Sequence, residues 1–293
     1  MRRKDETPGR WSGAVAAQGG AVRFFDRERE SRRIEEALLK KESMMISGSA
    51  DIGKTALILN VMRGLPEELA SQCIYLDSFK DLQGLLRKLL KVLYQDRNPG
   101  LRRQLHAEGV SAVNFEVWLK AMPSPRLKGA LYRAVEKSDY RVILDHVPPL
   151  THAIAKVIKE LFWMRNTPVY LLVRDGPEHR IDQFSHFFYW GDRERLALGP
   201  LPTPVAREML EHCIERFGLS NFDLDEFREE VLELSSCVPG AIVKMCALAA
   251  DPRYQYGSRI KTKLVHIDYL MSGQNLSLSP ARKSRSLGDQ QGD

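Results

Sequence analysis

A loop with two fixed glycines, a lysine and a threonine lies in the first fifth of the sequence. Residues 48–55 read Gly-Ser-Ala-Asp-Ile-Gly-Lys-Thr, which is an uninterrupted G-x-x-x-x-G-K-T. The apolar run at 43–47 predicts a strand before this loop, and the pattern at 56–62 predicts a helix after it. Backbone N–H groups of the loop and the positive end of the helix then converge on one point. The sequence therefore predicts a phosphate-binding loop.

The side chains of this loop predict a nucleotide and its metal ion, ATP or ADP with Mg²⁺. Lys54 is expected to bridge the β- and γ-phosphates, and the Thr55 hydroxyl is expected to ligate Mg²⁺. Asp51 stands where many such loops have a further glycine, but aspartate tolerates a left-handed backbone, so the loop can still form. Its negative charge is expected to weaken phosphate binding. The predicted nucleotide contacts in the loop are Gly48, Ser49, Ala50, Asp51, Ile52, Gly53, Lys54, Thr55 and Ala56.

Length and composition indicate a soluble protein of one to two domains. The chain has 293 residues, of which 43% are hydrophobic and 28% are charged. No apolar run approaches the roughly 20 residues of a membrane span, and the N-terminus lacks the apolar stretch of a signal peptide. We therefore expect a cytoplasmic protein. The cysteines and histidines lack metal-ligand spacing, so we expect reduced core cysteines and no metal ion besides Mg²⁺. The cysteines are Cys73, Cys213, Cys237 and Cys246.

Strand and helix patterns alternate up to about Leu201, which predicts a parallel sheet covered by helices on both faces. After Leu201 the pattern is helical throughout. The predicted division is a flexible lead at 1–22, an α/β core at 23–201, a small all-helical domain at 202–273 and a disordered tail at 274–293. Residues 96–126 are an insertion to which the sequence assigns no structure. Further strands are predicted at 73–76, 141–144, 169–173 and 195–198, with helices at 81–94, 127–137, 152–163, 204–217, 225–235, 240–250 and 264–271.

An acid follows the second of these strands, about ninety residues after the loop. Asp145 ends the run Val-Ile-Leu-Asp, and at the C-terminal edge of a parallel strand it would face the loop and help to hold Mg²⁺. ATPases with fast turnover usually have a glutamate next, but this chain has His146. We therefore expect slow hydrolysis. His146 either positions water as a neutral base or is a strand-end residue hydrogen-bonded to the backbone.

The strand at 169–173 is followed by the polar pair Arg174 and Asp175. If the loop strand lies between this strand and the last one, Arg174 ends beside the γ-phosphate and can report its presence. The alternative is a surface ion pair of Arg174 with Asp175 or Glu178.

These motifs, in this order, resemble the AAA+ superfamily, in particular the branch with STAND ATPases and archaeal or origin-recognition-type ATPases. The resemblance rests on Phe25 to Glu30, the loop, Asp145 and Arg174, and continues through 196–201 and 236–241. It implies a P-loop NTPase core with a three-layer parallel sheet and a helical lid. It also implies that Phe25 and Arg27 lie near adenine and that Pro239 lies against the base. The chain departs from the pattern at Asp26, where glycine is usual, and at the lid, where Lys244 replaces a clear arginine.

Two functions follow from this resemblance. The first is an ATP-dependent conformational or assembly switch with slow hydrolysis. The second is a nucleic-acid-associated ATPase of the initiator, loader or transposition-regulator type, because residues 253–263 contain four basic residues, two tyrosines and no acid. The same segment also fits an ordinary solvated linker. A kinase-like transferase is disfavoured, since no kinase motif is evident. The basic residues are Arg253, Arg259, Lys261 and Lys263.

The resemblance further implies a homo-oligomer, or a separate effector protein, with an arginine supplied by a neighbouring subunit. Candidates are Arg180, Arg193 and Arg195, which flank the aromatic stretch Phe184 to Trp190. That stretch is too apolar for a solvated loop, so it either packs in the core or contacts a partner.

Overall fold

The computed structural model describes residues 24–136, 138–164, 167–176 and 195–275. The chain divides between Gly199 and Pro200 into two compact units. The predicted lead at 1–22 and all but the first two residues of the predicted tail lie outside the described residues. Within the part of the chain described here, no helix is long and apolar enough to cross a membrane.

A five-stranded parallel sheet forms the centre of the first unit, with the strand order β2-β3-β4-β1-β5. The loop strand β1 therefore lies between β4 and β5, which is the arrangement under which Arg174 was expected to end beside the loop. Every residue of β1 and β3 is buried, as expected for strands covered on both faces. The strands are β1 (Met44–Gly48), β2 (Cys73–Leu76), β3 (Arg141–Leu144), β4 (Val169–Arg174) and β5 (Arg195–Ala197).

Helices cover both faces of this sheet, which gives three layers. Alternate strand residues such as Met45, Leu144 and Leu171 share one hydrophobic core with helices α4 to α8. On the opposite face, the Tyr170 hydroxyl and the Arg141 guanidinium donate hydrogen bonds to backbone carbonyls of α1. The helices are α1 (Glu28–Lys40), α2 (Lys54–Gly64), α3 (Glu67–Ser71), α4 (Leu82–Gln95), α5 (Pro99–Ala107), α6 (Phe115–Ala121), α7 (Ser124–Val135) and α8 (His152–Trp163).

The insertion at 96–126 is helical, which the sequence did not predict. It contains α5, α6 and the first residues of α7, and each helix is short enough that its periodicity is weak. Side-chain contacts fix it to the first unit. Asn98 caps α5 by accepting from the Leu101 N–H at 2.8 Å, and it donates to the Ala134 carbonyl at 3.0 Å. The Phe115 ring stacks on Tyr94, with ring centroids 3.8 Å apart.

Within its described residues, 200–275, the second unit is helical except for one small hairpin. Its helices are α9 (Thr203–Arg216), α10 (Asp225–Ser235), α11 (Pro239–Ala249) and α12 (Thr262–Asn275), with a 3₁₀ turn at Pro252–Tyr254. The strands β6 (Gln255–Tyr256) and β7 (Arg259–Ile260) pair in antiparallel fashion around Gly257, whose φ is +57°. Two-residue strands give no readable alternation, so the helical prediction missed them. The buried Tyr254 anchors the hairpin by donating to Asp268 of α12 at 2.6 Å.

Candidate nucleotide-binding site

The loop at 48–53 turns the chain from β1 into α2 at the C-terminal edge of the sheet. Gly48 must be glycine because an added Cβ would lie 2.9 Å from the Leu198 carbonyl and from the Ile52 side chain. Asp51 and Gly53 have φ values of +60° and +97°. Aspartate is one of the few side-chain-bearing residues that adopts this conformation readily, which explains how the loop forms without a third glycine. Ala56 follows in the first turn of α2, which begins at Lys54.

Lys54 extends back along the loop. Its Nζ donates to the carbonyls of Gly48 and Ser49, each at 2.8 Å. Burial lowers the pKa of Lys54, while the negative charges of Asp175 and Asp145 act in the opposite direction. The ammonium is therefore held at the mouth of the loop by backbone oxygens and faces two carboxylates.

Asp145 is the buried carboxylate of this edge, with 2% of its surface exposed. Its Oδ2 accepts from the Thr55 hydroxyl at 2.6 Å and from the Tyr75 hydroxyl at 2.8 Å. Its Oδ1 accepts from the His146 N–H at 2.7 Å. A hydroxyl and a carboxylate side by side are the hard oxygen donors that Mg²⁺ prefers, so this donor pair fits that ion.

Tyr75 is the residue of this site that the sequence analysis missed. It lies on β2, opposite Ile143 of the neighbouring strand β3, and Asp145 follows the last residue of β3. Burial and the negative charge of Asp145 raise the pKa of Tyr75, so the hydroxyl keeps its proton and donates it. The sequence offered one signal for Tyr75, which is a polar aromatic residue between the apolar residues Ile74 and Leu76 of a buried strand.

His146 has an uncommon backbone for a residue with a side chain, with φ at +46°. Its side chain is 67% exposed, and Nδ1 lies 2.8 Å from the Asp77 carbonyl. Since a carbonyl can only accept, Nδ1 carries the proton in this contact and a neutral ring keeps its Nε2 lone pair. The contact corresponds to the predicted strand-end hydrogen bond to backbone, and Nε2 retains the capacity to accept a proton.

The polar pair at the end of β4 lies beside the loop. Arg174 is the Cα partner of Gly48, and the Asp175 N–H donates to the Gly48 carbonyl at 2.9 Å. Burial raises the pKa of Asp175, and the positive charge of Lys54 partly offsets that rise. The negative charge of Asp175 raises the pKa of Lys54 more than that of Asp145 does, and the positive charge of Arg174 lowers it. The predicted alternative partner Glu178 lies outside the described residues.

The N-terminal motif packs into the first unit. Phe25 and Arg27 are both buried, and Arg27 donates to Glu30 at 3.0 Å and to the Gly199 carbonyl. Asp26 and Arg27 have φ values of +57° and +77°, so the chain needs left-handed residues where the resemblance expects glycine. The described contacts of Arg27 therefore hold the start of α1 against the segment after β5.

The remaining predicted residues lie elsewhere. Pro239 opens α11 in the second unit, where a missing N–H costs no hydrogen bond, and Lys244 lies on the same helix. Arg195 begins β5 and pairs with Met45. Arg180, Arg193 and the stretch from Phe184 to Trp190 lie outside the described residues. Within the ranges that are described, no group of three or more metal-ligating His, Cys, Asp or Glu side chains occurs.

Comparison with known proteins gives a fold but no close relative. No protein-family model and no curated protein matches the chain. Among solved structures, a Walker-type ATPase of Pyrococcus abyssi is 17% identical, with a TM-score of 0.54 over 87% of this chain and 75% of that one. The Aeropyrum pernix Orc1 protein, solved with DNA, is 14% identical, with a TM-score of 0.57 over 90% and 69%.

A third structure, Cdc6p from Pyrobaculum aerophilum, is 8% identical, with a TM-score of 0.55 over 81% of this chain and 64% of that one. Identities this low carry information on fold alone. The fold agrees with the parallel order of the sheet, the loop after β1 and the buried acid after β3. The chain therefore has the fold of the AAA+ P-loop ATPases.

Proposed function

We propose that this chain binds ATP or ADP with Mg²⁺ and acts as a nucleotide-dependent switch that hydrolyses ATP slowly. The observation that carries the proposal is the 2.6 Å hydrogen bond from the Thr55 hydroxyl to Asp145 Oδ2. It joins the first turn after the loop to the end of β3, two segments ninety residues apart. That is the pair of positions a P-loop ATPase uses for its metal ion.

The loop supplies the phosphate contacts in this proposal. Backbone N–H groups from Ser49 to Ala56 and the N-terminus of α2 attract the phosphates. Lys54 exchanges its two carbonyl contacts for phosphate oxygens, so its position at the loop mouth is set before binding. Thr55 and Asp145 hold Mg²⁺, which neutralises charge on the β- and γ-phosphates.

Slow hydrolysis follows from the residue after Asp145. A glutamate there would offer a carboxylate that orients the attacking water, whereas His146 offers an imidazole whose Nδ1 contacts the Asp77 carbonyl. Arg174 beside the loop is proposed to sense the γ-phosphate, in company with Asp175. Phe25 and Arg27 are proposed to border the adenine site from the first unit.

The switch itself is proposed to involve the second unit and a further copy of the chain. Pro239 at the start of α11 would lie against the base, so that loss of the γ-phosphate changes the setting of the helical lid. Arg180, Arg193 or Arg195 would complete the site of a neighbouring subunit. Light scattering should then detect a larger species with ATP than with ADP. A protein that stays monomeric with ATP and with ADP would reject the assembly and favour a switch within one chain.

The decisive experiment is a calorimetric titration of ATP and ADP, each with Mg²⁺ and with a chelator. The wild-type protein should bind both nucleotides, and more tightly with Mg²⁺. Thr55→Val keeps the side-chain shape but removes the hydroxyl, so it should abolish the gain from Mg²⁺ while leaving metal-free affinity unchanged. Absence of nucleotide binding by the wild type would reject the proposal. Full Mg²⁺ dependence in Thr55→Val would reject the metal assignment.

A second candidate is nucleic-acid binding through the basic hairpin, defined as residues 253–263, which contain β6 and β7. One observation favours it: Tyr256 is 75% exposed, and the Lys261 ammonium lies 5.5 Å from the centre of its ring. An exposed aromatic ring beside a cation is the arrangement on which unpaired bases stack. The structure of Aeropyrum pernix Orc1 was solved with DNA. Fluorescence anisotropy with labelled single-stranded and duplex DNA, at several salt concentrations, tests this candidate.

A further inference from the structure

A cavity of about 270 Å³, open to solvent, lies in the helical insertion of the first unit, and its charged residues Glu108, Arg126 and Arg133 are exposed. Its wall is formed by residues in and next to α5, α6 and α7. The residues that line it are Gln104 of α5, Glu108 just after that helix, Trp118 of α6, and Pro125, Arg126, Gly129 and Arg133 of α7.

The one carboxylate of the cavity is already hydrogen-bonded by neutral groups. Glu108 Oε1 accepts from the Gln104 amide at 3.0 Å, and Oε2 accepts from the Trp118 indole N–H at 2.9 Å. The hydrogen bond from Gln104 lowers the pKa of Glu108 most, followed by that from Trp118 and by the charges of two arginines. Glu108 therefore stays ionised, but its oxygens do not pair with either guanidinium.

The two arginines keep their outer nitrogens available. Arg133 uses its Nε, which donates to the Gln104 side-chain oxygen at 3.2 Å. In the described ranges, its two Nη atoms have no hydrogen-bond acceptor, and the side chain of Arg126 has neither a hydrogen bond nor an ion pair. Two arginines against one glutamate leave the cavity with one net positive charge.

The arginines lie on the same side of α7. They are seven residues apart, which is about two helical turns, and Gly129 lies between them. Glycine is unfavourable inside a helix relative to alanine. Packing does not demand it here, because an added Cβ would meet only the Arg133 guanidinium, with Nη1 at 3.6 Å and Nη2 at 3.8 Å. The absent side chain keeps open the space beside that guanidinium.

We propose that this cavity is a binding site for a carboxylate, held by Arg126 and Arg133 above Gly129. A planar guanidinium matches a carboxylate with two parallel hydrogen bonds. The single net charge suits a monoanion, since the fixed Glu108 in the wall repels a second negative charge. The ligand is either a small organic acid or an acidic residue in a segment of a partner protein. The site is separate from the loop at 48–55 that is proposed to bind phosphate, called the phosphate loop below, so its test does not depend on nucleotide binding.

The test follows the indole N–H signal of Trp118 by ¹H–¹⁵N NMR, because Trp118 donates to Glu108 inside the cavity. Trp118→Phe assigns this signal. Butyrate is the probe for a small acid, acetyl-Gly-Glu-Gly-amide is the probe for a peptide, and butyramide is the uncharged control. Butyrate or the peptide should shift the signal to saturation at millimolar concentrations, as expected for charged contacts in an open, solvated site, whereas butyramide should not. The tighter of the two probes identifies the source of the carboxylate.

Variants separate this site from general attraction to a basic surface. Arg126→Gln and Arg133→Gln should each weaken binding about tenfold, since each removes a charge-assisted hydrogen bond. Gly129→Ala keeps both charges and should also weaken binding, because it fills the space beside Arg133. Arg102→Gln removes an exposed arginine of α5 that does not line the cavity and should change nothing. Thermal melts check that each variant folds.

Two results would overturn the proposal. One is a Trp118 signal that neither probe shifts at tens of millimolar, a range that reaches even the weakest specific sites. The other is a shift that is equal in the wild type, Arg126→Gln, Arg133→Gln and Gly129→Ala.

Discussion

The phosphate loop and the basic hairpin both present positive charge, but they hold it differently. Lys54 is partly buried, contacts two backbone carbonyls and faces the carboxylates of Asp145 and Asp175. Arg259 and Lys261 lie on an exposed hairpin and have no carboxylate within ion-pair distance among the described residues. Charge at fixed positions can recognise one phosphate geometry, whereas exposed charge attracts polyanions in general and is screened by salt. Single substitutions should therefore have large effects in the loop and small, salt-dependent effects in the hairpin.

The largest effect is expected at Lys54. Lys54→Ala removes the ammonium that is proposed to pair with the β- and γ-phosphates. We expect a loss of roughly 3 kcal/mol or more in ATP binding, because charge-assisted hydrogen bonds contribute roughly 1.5–3 kcal/mol each. Calorimetry measures this, with Lys40→Ala as a control that removes the same charge from an exposed position on α1. Unchanged ATP affinity in Lys54→Ala would contradict the assignment of the loop.

The next effect is expected at Tyr75, which contacts the carboxylate rather than the nucleotide. Tyr75→Phe removes the 2.8 Å hydrogen bond to Asp145 but keeps the ring. A residue that orients a metal ligand typically changes metal affinity by about tenfold or more, so the Mg²⁺ concentration for half-maximal ATP binding should rise by about that factor. Metal-free ATP affinity should stay the same. Tyr256→Phe is the matched control, and an equal Mg²⁺ dependence in both variants would leave Tyr75 with a structural role only.

The same variant gives a pH test with a defined sign. The pKa of Tyr75 is raised in the folded protein by burial and by the charge of Asp145, so the neutral hydroxyl stabilises the fold. This contribution is complete below pH of about 10, the ordinary pKa of tyrosine, and is lost as pH rises further. The difference in unfolding free energy between wild type and Tyr75→Phe should therefore be constant up to that pH and shrink above it. Denaturant titrations from neutral to alkaline pH measure it.

An effect of similar size, on the rate of hydrolysis and not on binding, is expected at His146, next to the proposed metal ligand Asp145. His146→Glu supplies the carboxylate that the site lacks and should raise hydrolysis about tenfold or more, if water positioning limits the rate. His146→Gln offers no base and should stay at or below the wild-type rate. Phosphate release at saturating ATP measures all three proteins. Wild-type turnover on the order of tens per second, or no response in a His146→Glu variant that still binds ATP, would contradict slow hydrolysis limited at this residue.

Sequence prediction succeeded where one pattern specifies the backbone of consecutive elements. The order of glycines in the loop, the apolar strand before it and the acid after Leu144 fix positions along parallel strands whose C-terminal ends meet at one edge. Prediction missed contacts that depend on neighbouring strands, such as Tyr75 with Asp145, because one sequence does not give the partner of a side chain. It also missed the helices of the insertion and the hairpin at 255–260. Their segments are too short for periodicity, and contacts of Asn98 and Tyr254 stabilise them instead.

The smallest and most conditional effect is expected at the basic hairpin. Arg259→Gln and Lys261→Gln should leave ATP affinity unchanged. If the hairpin contacts nucleic acid, each should weaken DNA binding at low salt and reduce the slope of log affinity against log salt by about 1, the expected change for one lost phosphate contact. Arg253→Gln and Lys263→Gln should change this slope less, because these side chains already pair with Asp251 and Glu230. Anisotropy titrations at several salt concentrations decide between the outcomes. An equal slope of log affinity against log salt in all four variants and the wild type would show that the hairpin is an ordinary solvated surface. The comparison would then be between a loop that binds a ligand and a charged surface that binds none.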